Sequence, residues 1–201
     1  PGFFILQSQA SYEETMLLRE DVVASCPVRG SKVFMPINRG VLLGTGTEEP
    51  NGIEAILEEA LTAFQNHPWP LSPVMVVYNG NGFESYLPSG ESLVRLQALK
   101  TIDVALCYRD QQKALQEYCE REGIDCYVAS ADIIQEKNNP EALRTWASWT
   151  QGVPTWLPVV DLLAFNKQLG AEKFEMLIVP WNEAHAICER YMKPLAEDPP
   201  R

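Results

Sequence analysis

Two periods of apolar and polar positions run along this chain. Ile53, Ile56, Leu57, Ala60, Leu61 and Phe64 recur at the i, i+3, i+4, i+7 spacing of one buried helix face. Asn51 precedes them as a cap, with Glu54 three residues on. Shorter apolar segments divided by turn residues read as strands. Lys32 to Ile37 and Val41 to Leu43 flank Asn38-Arg39-Gly40, and Val74 to Tyr78 and Phe83 to Leu87 flank Asn79-Gly80-Asn81-Gly82, so two hairpins are expected.

Around these, Phe3 to Gln7 reads as a strand, followed by a helix that Ser11 and Glu14 open as a capping box and that reaches about Ser25. A helix from Ser89 to Lys100 follows the second hairpin. Val104 to Tyr108, Asp110 to Glu122 and Ile124 to Ala129 then read as strand, helix and strand, with Gly123 ending the helix. Two helical segments are expected at Pro140 to Thr150 and Val159 to Leu169. A strand from Phe174 to Val179 and a helix from Asn182 to about Met192 close the series.

Hairpins in the first half and strand-helix-strand units in the second predict an α+β fold, with α/β as the alternative, built on a mixed sheet with helices packed on it. One globular domain over residues 1–193 is expected, with 194–201 as a flexible tail. The Gln151-Gly152-Val153-Pro154 stretch is the one internal boundary considered, and too little chain follows it for an independent core. No repeat of 20 to 50 residues is visible.

Composition narrows the function classes. At 201 residues and 46% hydrophobic, the chain can bury a core without disulfides or metals. Its apolar runs are far shorter than the roughly 20 residues that span a bilayer. The net charge of −11 is spread over both halves, and with no basic run to oppose it, neither nucleic acid nor a membrane surface is expected as partner. The five cysteines are irregularly spaced and form no C-x-x-C pair, which predicts reduced thiols in a cytoplasmic protein, with no metal site and no cofactor. Pro1 to Leu6 show no basic segment ahead of their apolar residues, so no export signal is read.

Candidate chemistry is sparse. Of the two histidines, His67 is a helix-end residue before Pro68, and His185 stands three residues after Asn182, the expected cap of the last helix. At a helix start beyond a strand, Asn182 and His185 are the candidate ligand-binding residues, with a neutral imidazole able to act as base or donor. Cys188, one turn on, makes a Cys/His pair conceivable. Against it, Ala184, Ile187, Cys188 and Tyr191 read as one buried stripe, and the balance falls on structural roles.

Gly44-Thr45-Gly46-Thr47-Glu48-Glu49 lacks the third glycine of a dinucleotide fingerprint and the Gly-Lys of a phosphate loop. It reads as a polar loop before the Asn51 cap.

Of five tryptophans, Trp146 and Trp149 fall three apart on an expected helix, and Trp156 follows in a Pro-bracketed loop. They are the candidate partner-binding residues, since Trp is enriched among binding anchors. The alternative, given more weight, is that the rings close the core beneath loops, each indole N–H on a carbonyl. Two functions are therefore carried forward: a non-catalytic protein acting through contacts with a protein partner or by self-association, and an enzyme or small-ligand binder with a site at the strand-to-helix junctions of Ser8 to Ser11, Tyr108 to Asp110 and Pro180 to His185.

Overall fold

A computed structural model describes residues 2–7, 13–66, 71–170 and 174–194. The fold is α+β, and the chain divides into two compact units, Pro1–Lys100 and Thr101–Arg201. In the first unit, β1 (Phe3–Gln7), β2 (Lys32–Asn38), β3 (Val41–Gly46), β4 (Val76–Tyr78) and β5 (Phe83–Ser85) form an antiparallel sheet in the order β1-β3-β2-β4-β5. Both expected hairpins are present. Gly40 and Gly80 take the positive φ their turns require, 92° and 94°, where a side chain would be strained.

Alternation along β2 and β3 loads both faces of this sheet. Val33, Met35, Ile37 and Leu43 are buried on one face, and the helix α2 (Gly52–Asn66) packs on β1 to β3 with Ile56, Leu57, Ala60 and Phe64 inward. On the opposite face Phe34 and Leu42 make a core with Val23 of α1 (Glu20–Ser25), flanked by Phe4, Leu6 and Phe83. The single helix expected up to Ser25 is instead a 3₁₀ turn, Glu13–Leu18, and the six-residue α1, separated at Arg19. Arg19 caps α1 without a side-chain bond and pairs with Asp21 at 2.7 Å. Ser11, His67, Pro68 and Trp69 lie outside the described residues.

Three glycines explain the stretch read as a polar loop. Gly44 and Gly46 belong to β3, and a Cβ on Gly44 would overlap the Phe4 ring, while one on Gly46 would overlap the Arg29 carbonyl. Gly52, at the start of α2, meets the Thr45 hydroxyl in the same way. Close packing, not ligand approach, uses the missing side chains.

The helix α3 (Glu91–Glu122) runs through the point of division between the units. The strand expected at Val104 to Tyr108 is its middle. No glycine or proline stands between Gly90 and Gly123, and Tyr108, Gln112, Leu115 and Cys119 continue one inward stripe at helical spacing. Gly123, at φ 68°, stops the helix as expected, with the Ile124 N–H donating to the Cys119 carbonyl at 2.8 Å.

The second unit holds a mixed sheet ordered β11-β10-β8-β7 and a two-stranded parallel ribbon of β6 and β9. These strands are β6 (Tyr127–Val128), β7 (Asp132–Glu136), β8 (Asn139–Thr150), β9 (Thr155–Trp156), β10 (Leu162–Gln168) and β11 (Phe174–Pro180). The segments expected as helices at Pro140 to Thr150 and Val159 to Leu169 are thus strands. β8 is antiparallel to β7 through Trp146 and parallel to β10 from Trp146 to Thr150, so pairing with β7 at Leu143 and Arg144, continued into a two-sided ladder beyond them, overrides the helix-forming Glu141-Ala142-Leu143-Arg144. Ala147 and Leu163 are buried from neighbouring strands, joined by Ala129, Val160 and Ala184 of α4 (Trp181–Cys188) in one core.

Two side-chain devices hold the loops of this unit. The Asp161 carboxylate accepts the Thr145 N–H at 2.8 Å and the Thr145 hydroxyl at 2.9 Å, while that hydroxyl accepts the Asp161 N–H at 3.0 Å. The outer side of β6 is closed by α3: Gln112 Nε2 donates to the Val128 carbonyl at 3.0 Å, and Gln116 Oε1 accepts the Val128 N–H at 3.1 Å. Two glutamines one helical turn apart thereby replace a strand.

Candidate functional site

Recasting residues 139–150 as a strand rearranges the tryptophans. Three residues apart on a strand, Trp146 and Trp149 point to opposite faces, so they make no shared surface. Trp149 lies on the core side, its ring 5.8 Å from that of Phe165, and its indole N–H donates to the Val153 carbonyl at 3.4 Å. Trp156 stacks on Tyr118 of α3 at 6.4 Å. Trp146, Trp149 and Trp156 are all half-buried.

The last helix differs from its expected outline in the same way. Pro180 is its cap, Asn182 its second residue and His185 its fifth, and no side chain bonds the helix start. His185 is exposed, with the Trp181 ring 6.3 Å away. Of the stripe expected to be buried, only Ala184 is: Ile187 and Tyr191 are 74% and 66% exposed, and Cys188 is half-buried. Tyr108 and Asp110 sit within α3, so no strand-to-helix junction exists there, and Ser8 to Ser11 lie outside the described residues. The junction at Pro180 remains, where β11 passes directly into α4.

The cysteines carry free thiols. Cys119 is fully buried in α3. Burial pushes the Cys26, Cys107 and Cys126 thiols up, and the Asp103 and Asp110 carboxylates add to the rise at Cys107. Among the described residues no three His, Cys, Asp or Glu side chains form a metal-holding group. No described helix is long and apolar enough to cross a membrane.

What stands out instead is β11. Its consecutive Met176, Leu177 and Ile178 are 57%, 60% and 46% exposed. Side chains alternate along a strand, so Met176 and Ile178 occupy one face and Leu177 the other. Both faces are apolar. β11 is also the last strand of its sheet, paired with β10 alone among the described residues.

The direction of its main-chain groups follows from the ladder. The Trp181 N–H donates to the Asp161 carbonyl, and the Asn166 carbonyl turns away from β11 to accept the Gln151 N–H. Since bonded and non-bonded pairs alternate in an antiparallel ladder, 175, 177 and 179 of β11 bond to β10, and Met176 and Ile178 aim their N–H and C=O groups outward. The opposite edge, β7, has Ile133 and Ile134, each 40% exposed, between Asp132 and Glu136, a shorter apolar stretch with charge at both ends, whereas β11 carries one charge, Glu175. The apolar run was readable in the sequence as a strand, but nothing local marked it as an edge.

Comparison of the chain with protein-family models, with curated proteins and with solved structures finds no match in any of the three.

Proposed function

We propose that this protein works by non-catalytic protein contact and that the contact is made along β11. The observation that carries this reading is an edge strand with three consecutive exposed apolar side chains and outward-facing amides at Met176 and Ile178. An edge of this kind accepts a further strand, main-chain bonds supplying affinity and alternate side chains supplying fit. The placement of Trp149 and Trp156 supports the same division of labour, because Trp149 packs on the core and Trp156 on Tyr118 while β11 supplies the open apolar surface.

The test is photocrosslinking in the cell of origin. Benzoylphenylalanine placed at position 177 is expected to yield adducts with polypeptide, and the same group at position 134 on β7 is not. Equal adduct yields at both positions, or none at 177, would refute the reading.

A further inference from the structure

Resting on that reading, we infer that the strand received by β11 is β11 of a second copy, paired antiparallel about a two-fold axis at Leu177. The strand is complementary to itself. With Leu177 opposite Leu177 of the other copy, Met176 falls opposite Ile178 and the reverse, and each of these pairs joins two residues whose N–H and C=O groups already face outward. Both bonds of each pair can therefore close without a change in β11. The same register sets apolar side chains against apolar side chains on both faces, the central leucines at the close spacing of a non-bonded pair.

Charge permits this register, excludes one centred on Glu175, and disfavours contact between copies away from β11. A chain of net charge −11 repels its own copy over most of its surface, but β11 carries one charge, Glu175. In the two-fold pairing Glu175 lies opposite Val179, four residues from the Glu175 of the other copy. That is about 14 Å along the strand, beyond the ~8 Å Debye length of physiological salt. A pairing centred on Glu175 would set the two carboxylates face to face. On its inner side Glu175 has Lys167 of β10 as its register partner, so the remaining charge has an opposite neighbour within its own chain. Pro180, which lacks an N–H, falls at the end of the ladder, where it interrupts nothing. The product joins two four-stranded sheets into one continuous sheet.

The experiment is a charge swap on the full chain read by sedimentation. The wild-type chain is expected to reach twice the mass of one chain across the micromolar range. Leu177→Lys and Leu177→Glu should each sediment as single chains, since the axis sets like charges opposite one another, and their equimolar mixture should regain the double mass. Circular dichroism of each variant reports folding. Should neither fold, the wild-type chain answers alone: the Met176 and Ile178 amides should exchange with solvent more slowly as concentration rises. A wild-type chain of single mass throughout, or a dimer unchanged by both substitutions, overturns the two-fold pairing. Crosslinks from position 177 to a different polypeptide, with a monomeric wild type, would overturn the self-pairing while leaving the contact reading in place. No crosslinks and no dimer would remove both.

Discussion

The Phe4 ring lies across Gly44, and the missing side chain is what lets it reach Phe34. Phe4, Gly44 and Phe34 are register partners on three adjacent strands, and the two rings meet edge to face at 6.1 Å and 76°. Phe83 continues the row from β5, edge to face on Phe34 at 6.2 Å. A glycine in a strand interior weakens it, and the aromatic cover offsets that loss.

Gly44→Ala should therefore cost about 1–3 kcal/mol, the range for overpacking a core. Chemical denaturation of Gly44→Ala, Phe4→Leu and the double variant measures the coupling, and the double variant is expected to recover part of the loss. Gly46→Ala meets the Arg29 main chain instead, so no side-chain truncation should relieve it. Additive losses at Gly44 and Phe4 would show that the ring does not lean on the glycine.

Thr145→Val should destabilise the protein by roughly 1–3 kcal/mol, because Thr145 is buried and its hydroxyl both donates to and accepts from Asp161. Asp161→Asn keeps the shape and one acceptor and should cost less. Urea unfolding of both decides the order; a larger loss for Asp161→Asn would place the weight on the carboxylate charge rather than on the closed ring of bonds.

Glu49 gives the first unit a defined acid response. Hydrogen bonds from the Arg29 side chain and from the Arg29 N–H hold its carboxyl below the ordinary glutamate value. A depressed carboxyl stabilises the fold above its unfolded value and ceases to do so as pH falls through its folded value. The melting-temperature difference between wild type and Glu49→Gln should thus be constant at neutral pH and shrink from about pH 4 downward. A difference that stays constant to pH 2 would exclude this origin.

Native alkylation with iodoacetamide should modify Cys107 well before Cys119, the one exposed and the other fully buried. The Cys107 rate should climb as pH is raised above neutrality, because burial and the two nearby carboxylates keep its thiol protonated. Peptide mass mapping against time checks both points. Rapid labelling of Cys119 in folded protein would mean that α3 opens locally.

Legibility in the sequence followed locality. The α2 stripe from Ile53 to Phe64, both glycine-bearing hairpins and the Gly123 stop were readable because the deciding interactions lie within a few residues. In α3, the apolar Val104 to Tyr108 imitates a strand, although no glycine or proline interrupts the stretch between Gly90 and Gly123. β8 misled more deeply: Asn139-Pro140-Glu141 imitates a helix start, while the alternation of Thr145, Ala147 and Trp149 was the true signal. The edge position of β11 depends on strand order, which no local pattern contains.

The paired glutamines of α3 tie the ribbon to the helix. Gln112 and Gln116 line up on Val128 only when the helix between them is wound, and β6 and β9 are two residues long each. The ribbon has too few bonds to outlast that scaffold, so its amides should exchange no more slowly than those of the helical turn beside them. The little ribbon therefore depends for its outer side on the winding of the helix that carries Gln112 and Gln116.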